Sequence, residues 1–521
     1  MTLQPKTSAV APIPAGFEIE LDPDTQELDD NMLFGGSPMR IMRLSEAGRA
    51  AMTELAGGPI HSTRAGTLAR RLTDAGAAHP RPPRRSEPVD LTVIIPVKDR
   101  ADMLGQCLSA LGRHYPVVVV DDGSLDPQAV AAIANAHGAR LVVREINGGP
   151  AAARNTGVAE VSSEFIAFVD SDTLPTGPWI ELLAGQLADP LVAAVAPRIL
   201  AVTGGADSAS KFTDASGSLD LGVREARVAP GSRVSYVPTA AIVLRRSALL
   251  DISGQDGPFD QQMRVGEDVD FIWRLHSAGW RIRYHPQAQV THQEPEDWSG
   301  LLHRRFVYGT SAAQLAQRHP EAMAPLALHP WPTLTVAALL ARSPILAAAA
   351  LTGSVLSMRR TLTREQIPPN GVVPAMVRAT QQTWLGIGRY TTQFAAPLMI
   401  AALVKPGGRS RRRRWGRRLA LVSLLLGPPV TTWRQRRPNL DPARFVLGQL
   451  AGDVSYGAGV WTGAVKARTT MPLRPSIVWH PLRIDSARRI SPSGAASANY
   501  TRSWADVHSL FRNRRRSAAS S

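Results

Sequence analysis

Short apolar runs alternating with amphipathic stretches organise the middle of this chain. Leu91–Val97, Val117–Val120, Leu141–Val143 and Phe165–Val169 have the length of strands and are rich in β-branched and aromatic residues, as strands covered on both faces should be. Helical spacing fills the gaps: Asp102–Leu111, then Asp126–His137 closed by Gly138, then a stretch opened by Gly148-Gly149-Pro150. Strands alternating with helices predict βαβ units and a parallel sheet with right-handed crossovers. Further on, the pattern predicts a helix at Trp179–Leu187, a strand at Val192–Ala196, an irregular cover over 203–235 and a strand at Tyr236–Leu244. Gly266 opens a helix whose first turn carries Glu267, Asp268 and Asp270, which suits the helix dipole. Arg281–Tyr284 and Ala288–His292 read as short strands. The expectation for residues 90–320 is an α/β domain with a Rossmann-like, mostly parallel sheet and helices on both faces.

The flanks have other rhythms. Residues 1–15 are rich in Ala, Pro and Thr and are expected to be disordered. A strand at Phe17–Leu21, a turn at Asp22–Thr25, a strand at Met32–Gly36 and two short helices follow, the first capped by Ser45 and stopped by Gly57-Gly58-Pro59. This predicts a small winged-helix-like module over 16–78, either a recognition domain or a stabilising cap on its neighbour. His79–Pro88, within 79–89, reads as a Pro/Arg linker. From about 321 to 480 the chain is helical and apolar. Trp331–Met358 has the length of a membrane span, about 20 residues, but carries Arg342 and many small residues. The basic run Lys405–Arg418 lies between the apolar stretches Phe394–Val404 and Leu419–Leu426, as at a cytoplasmic membrane face. An Ala/Leu bundle with a solvated basic loop is the competing reading. A basic tail over 481–521 is expected to be disordered.

Composition narrows the class. At 521 residues the chain can hold two or more domains, and its formal charge of +16 calls for an anionic partner. The single cysteine, Cys107, excludes an internal disulfide and a Cys-based zinc site and reads as core. Met1–Lys6 lacks a basic segment followed by an apolar one, so no signal peptide is expected and the catalytic part is expected on the cytoplasmic side.

The chemistry gathers at the strand ends. Phe165–Val169 stops on Asp170-Ser171-Asp172, two carboxylates two residues apart that can address one point, as a divalent cation on a phosphorylated ligand requires. Pro96 and Val97 close the first strand, and Asp121 and Asp122 the next. Arg154 follows Gly148-Gly149 on a helix whose first turn can face phosphate. With Asp121-Asp122-Gly123-Ser124, Ala153-Arg154-Asn155 and Gly266-Glu267-Asp268, these motifs resemble family 2 glycosyltransferases of the GT-A fold over about residues 90–310. The front end looks like PqqD-like peptide-recognition domains. Together with the long apolar C-terminal part, it makes the chain similar to the mycofactocin-system glycosyltransferases. That resemblance implies transfer of glucose from UDP-glucose to a peptide-derived redox cofactor precursor, with the N-terminal module engaging the peptide acceptor.

The resemblance also implies roles. Pro96 and Val97 meet the nucleotide base. Asp121 or Asp122 accepts from a uracil N–H or a ribose hydroxyl. Arg154 faces the nucleotide or its phosphates. Asp172 is the direct ligand to Mg²⁺ or Mn²⁺, Asp170 serves ribose or bridges, and His292 completes the metal shell. Asp268 is the general base, with Glu267 as runner-up. One base and no covalent nucleophile imply inversion at the sugar carbon. Processive relatives carry a Gln-x-x-Arg-Trp motif where this chain has His303-Arg304-Arg305-Phe306-Val307-Tyr308-Gly309. Arg304 and Arg305 are therefore candidates for diphosphate or acceptor contact, with processivity left open. Two alternatives stand: a membrane-associated enzyme of polysaccharide or lipid-linked glycan synthesis, and a non-catalytic basic protein binding membrane or nucleic acid. The intact acidic set speaks against the second, and no nucleic-acid partner is expected.

Overall fold

The computed structural model describes residues 11–84, 89–405, 411–479 and 483–485, apart from Asp30, Pro368 and Asn370. Most of the stretches expected to be disordered, 1–15 and 481–521, lie outside these residues, as do parts of the Pro/Arg linker and of the basic run. The chain divides into two compact units, one running to Gly205 and resuming over Ser216–Glu296, the other built on Ala206–Ala215 and Asp297–Arg483. The boundary therefore falls ahead of residue 320, because the last strand of the large sheet ends at Gln293.

The first unit opens with a small module: β1 (Glu18–Leu21), β2 (Gln26–Asp29), β3 (Met32–Gly35), β4 (Arg40–Arg43), α1 (Glu46–Ala56), α2 (Thr63–Asp74) and β5 (Ala78–Arg81). Ser45 caps α1 by accepting from Gly48 N–H, and Ser62 caps α2 by accepting from Ala65 N–H. Two expectations are corrected here. The stretch read as linker from His79 begins as β5, antiparallel to β1, and Ala78, with Ala77 before it, joins the module's core. Ile13, inside the stretch expected to be disordered, is buried and its N–H donates to Gly66 O. Charges fasten the module to the domain that follows. Arg70, fully buried, makes two hydrogen bonds to the buried Asp189 carboxylate, at 2.6 and 2.7 Å. Arg281 pairs with Asp74, and Arg233 with Asp22.

That domain alternates strand and helix: β6 (Leu91–Val97), α3 (Ala101–Leu111), β7 (Val117–Asp122), α4 (Pro127–Ala136), β8 (Arg140–Arg144), α5 (Pro150–Ala159) and β9 (Phe165–Val169). Then come β10 (Thr173–Pro175), α6 (Trp179–Ala184), β11 (Val192–Val202), then α7 (Ser208–Ser216), which belongs almost wholly to the second unit, and β12 (Ala226–Val228), β13 (Ala241–Arg245), α8 (Arg246–Asp251), α9 (Glu267–Ser277) and β14 (Arg281–Gln293). One nine-stranded sheet runs β10-β14-β11-β13-β9-β6-β7-β8, with β12 also on β14. The half β8-β7-β6-β9 is parallel throughout, and β13 is the reversed strand between β9 and β11. Alternate residues of β6 and β9 (Val93, Ile95, Ala167, Val169) join Cys107 and the inner faces of α3 and α6 in one core. The region 203–235 is less irregular than its sequence suggests, since it holds α7 and β12.

The second unit is helical: α10 (Trp298–Thr310), α11 (Ala312–Arg318), α12 (Pro330–Leu340), α13 (Pro344–Arg364), α14 (Val372–Val404), α15 (Arg411–Arg436) and α16 (Pro442–Lys466). Small residues let backbones touch: a Cβ on Gly459 would stand 2.0 Å from Phe306 O of α10, and one on Gly457 1.7 Å from Gln393 O of α14. The apolar stretch Trp331–Met358 is not one helix. It turns at Ala341–Ser343, where Arg342 adopts φ 59°. α14 is kinked at Ala395, ahead of Pro397. Among the described residues no helix is long and apolar enough to cross a membrane.

Candidate active site

β6 is flanked by β7 and β9, so the strand order reverses there, and in such sheets ligands bind outside the carboxyl ends. A cleft of about 510 Å³ opens at this place. Pro96 and Val97 line it from the end of β6, Lys98 and Arg100 from the next loop, and Asp170, Ser171 and Asp172 from beyond β9. Asp122, Asn147, Gly149, Arg154 and Arg264 are also in its wall. Gly149, at φ 88°, leads into α5; a Cβ there would stand 2.6 Å from the Arg264 guanidinium.

Asp172 is nearly buried. Its Oδ1 lies 3.2 Å from His292 Nε2, and its Oδ2 accepts from Arg100. The pairing of β10 with β14 sets this up, for Thr173 stands opposite His292. Asp170 is more open, and its Oδ1 accepts from Arg154 at 2.7 Å. One ligand atom from each of Asp170, Asp172 and His292 lies within 4.8 Å of the others. Two carboxylates and an imidazole fit a Mg²⁺ or Mn²⁺ ion. Burial works against ionisation of Asp172, but the hydrogen bond to His292 and the Arg100 charge outweigh it and hold its pKa at about 2. Burial likewise opposes charge on His292, yet Asp172 and Glu294 push its pKa up to about 9. Glu294 Oε1 stands 3.5 Å from His292 Nδ1, so a second carboxylate lies behind the imidazole, on the side away from Asp172.

Arg154 is buried in the wall of the cleft and is held there by two acids. Its guanidinium does not point freely at a nucleotide: one terminal nitrogen donates to Asp170 and the other to Glu267, at 3.1 Å. It also lies over the Phe259 ring, 5.8 Å from the centroid. Arg154 therefore joins the acids of the cleft to those of α9. Glu267 and Asp268 occupy the first turn of that helix, behind Gly266 at φ 80°. Burial raises the pKa of Glu267 against the opposing charge of Arg154. Burial, reinforced by the Glu267 charge, pushes Asp268 up to about 7.

The two acids ending β7 divide. Asp122, expected as a substrate contact, is engaged internally: it accepts from Arg144 and from the N–H groups of Gly148 and Gly149, holding the loop ahead of α5. Asp121 Oδ1 accepts from Ser124, while its buried Oδ2 has no hydrogen-bond partner. Arg304 and Arg305 belong to α10 of the helical unit, and the residues lining the cleft do not include them. Lys98, Arg100, Arg264 and Glu294 went unread in the sequence. Glu294 had a signal, since His292 and Glu294 are two apart on extended chain and point the same way. Arg264 had none, because only folding brings the segment before α9 over Gly149.

A cation-lined cleft at the switch point, next to an acidic cluster and a weak carboxyl acid, has the working parts of a nucleotide-sugar-dependent glycosyltransferase. Residues 92–251 match the family model described as Glycosyl transferase family 2. The chain is 38% identical over 482 residues to the pre-mycofactocin glycosyltransferase of Mycobacterium tuberculosis, covering 89% of this chain and 98% of that protein. It is 24% identical over 234 residues to the glycosyltransferase AglE of Haloferax volcanii, covering 43% of this chain and 73% of that protein. Among solved structures, a mannosyltransferase from Pyrobaculum calidifontis in complex with GDP-Man and Mn2+ aligns at 20% identity and a TM-score of 0.35, over 66% of this chain and 88% of that one. The chain belongs to the family 2 glycosyltransferases, among those of the mycofactocin system.

Proposed function

We propose that this enzyme transfers a hexose, glucose from UDP-glucose, to the peptide-derived precursor of a redox cofactor, with inversion at the sugar carbon. The acceptor class follows the name of the Mycobacterium tuberculosis relative, which shares nearly its whole length. The observation that carries the reaction is the chain of contacts Asp268–Glu267–Arg154–Asp170, which links a weak carboxyl acid to the acids of the donor cleft. Asp268 accepts the proton of the acceptor hydroxyl as that oxygen attacks the anomeric carbon and the bond from that carbon to the diphosphate breaks. Asp170, Asp172 and His292 would hold a divalent cation, whose charge stabilises the departing diphosphate. Lys98, Arg100 and Arg264 add positive charge along the cleft. The unpartnered Oδ2 of Asp121, beside Val97, suits a uracil N–H. The N-terminal module binds the peptide part of the acceptor.

Incubating the purified enzyme with that precursor and a panel of nucleotide sugars, followed by mass spectrometry, tests the reading. A hexose increment dependent on UDP-glucose and a divalent cation is expected. Transfer to a polyprenyl phosphate but not to the peptide product would overturn the acceptor assignment.

A further inference from the structure

We infer that one corner of the helical unit is a surface that lies on a membrane of anionic lipid without crossing it. Three segments meet there. The Arg342 side chain, at the α12–α13 turn, packs 3.4 Å from the Cβ position of Gly416 at the start of α15, and Arg417 donates to Lys405 O at the end of α14. Around this junction large apolar side chains face solvent: Ile345 is 81% exposed, Leu398 73%, Val404 71%, Leu419 65% and Trp415 54%. A core helix would bury such residues. A cluster of them on one corner marks an interaction surface.

Charge selects the partner. Between Ala322 and Leu440 the sequence holds seventeen lysines and arginines and one acid, Glu365. Elsewhere the chain carries forty-two basic and forty-two acidic residues, so the whole formal charge of +16 belongs to this segment. Exposed leucine, isoleucine and tryptophan interleaved with arginine is the composition of helices that seat in the headgroup layer, with apolar side chains in the acyl boundary and basic ones on the phosphates. A nucleic acid would use the charge but has no use for the aliphatic side chains. The break at Arg342 and the kink at Ala395 interrupt the apolar stretches, which suits helices that lie on a surface rather than cross it.

The test is flotation of the full chain with vesicles of phosphatidylcholine alone or mixed with phosphatidylglycerol. Binding should require phosphatidylglycerol and should weaken about fivefold for each of Lys405→Gln and Arg418→Gln. The variant carrying Leu398→Ser, Val404→Ser and Leu419→Ser, which removes exposed side chains only, should keep its circular dichroism and its sugar transfer but lose vesicle binding at least tenfold. Failure to float with the anionic vesicles, or equal binding to both vesicle types, overturns the inference. So does a duplex oligonucleotide bound as tightly as the anionic vesicles, with both affinities unmoved by the serine changes.

Discussion

In the reaction proposed here Asp268 serves as the base, and its surroundings make it a poor acid. Burial and the neighbouring Glu267 lift its pKa from 3.8 to about 7, so the rate kcat/KM should climb with pH through the neutral range and level off above it, the limb belonging to the coupled Glu267–Asp268 pair. The same shift has a stability consequence of defined sign. The folded state holds this proton where the unfolded state has released it, so the group's contribution is intact below about pH 4 and is lost as pH rises through 7. Asp268→Asn should therefore slow transfer by roughly 10²–10⁴ while making the protein more stable at pH 8, by an amount of the order of a few kcal/mol; urea unfolding beside a transfer assay measures both. Glu294→Gln should weaken Mn²⁺ binding about 10–100-fold, read by electron paramagnetic resonance without substrate, because the negative charge behind the His292 imidazole is lost. Much of this site was legible: Asp170, Asp172, His292, Glu267 and Asp268 recur in motifs at strand and helix ends. What hid were the partners. That Arg154 serves two acids, and that Asp122 serves a loop, depends on which groups come within hydrogen-bond distance after folding, and spacing along the chain does not report that.

The elements show the same division. The strands β6, β7 and β9 were readable because burial on both faces leaves continuous apolar runs, and the edge strand β8, though none of its residues is buried, keeps a short one at Leu141–Val143, whereas β2 and β4 carry charged residues at alternate or end positions and β5 contains His79 and Pro80. β5 looked like a linker because its proline and arginine are exposed-chain residues, yet its pairing with β1 needs only an edge. The helix α2 carries a further consequence. Arg70 projects from it, fully buried, onto Asp189 beside β11. Arg70→Met should cost roughly 3–5 kcal/mol, because the Asp189 carboxylate is left buried without its partner, while pairing that change with Asp189→Leu should recover most of the loss. Thermal unfolding of the two variants decides it; equal losses in both would mean that packing, not the ion pair, holds α2 in place.

At the scale of the molecule, two charge regimes share one chain. Residues 1–321 hold thirty basic and thirty-eight acidic residues, so as pH falls from neutral the repulsion within the catalytic part first shrinks rather than grows. Its response to acid rests instead on the network that fastens the module to the large sheet. Asp22 is buried, yet hydrogen bonds from His79 and Arg233 outweigh burial and bring its pKa from 3.8 to about 2. Glu225 is also buried, and His285, His79 and Arg81 bring it from 4.5 to about 2. In both cases the unfolded chain takes up the proton first as pH falls. Their stabilisation is therefore complete above about pH 4.5 and is lost progressively from there down to about 2. Together the two groups are worth on the order of a few kcal/mol. The variant Asp22→Asn/Glu225→Gln should thus be less stable than the parent near neutral pH and close to it near pH 2, flattening the fall in stability across that window. Denaturant titrations at a series of pH values measure the slope directly. A variant whose stability fell with acid as steeply as the parent's would place the acid-labile contacts elsewhere in the unit and leave the module held by its buried Arg70–Asp189 pair.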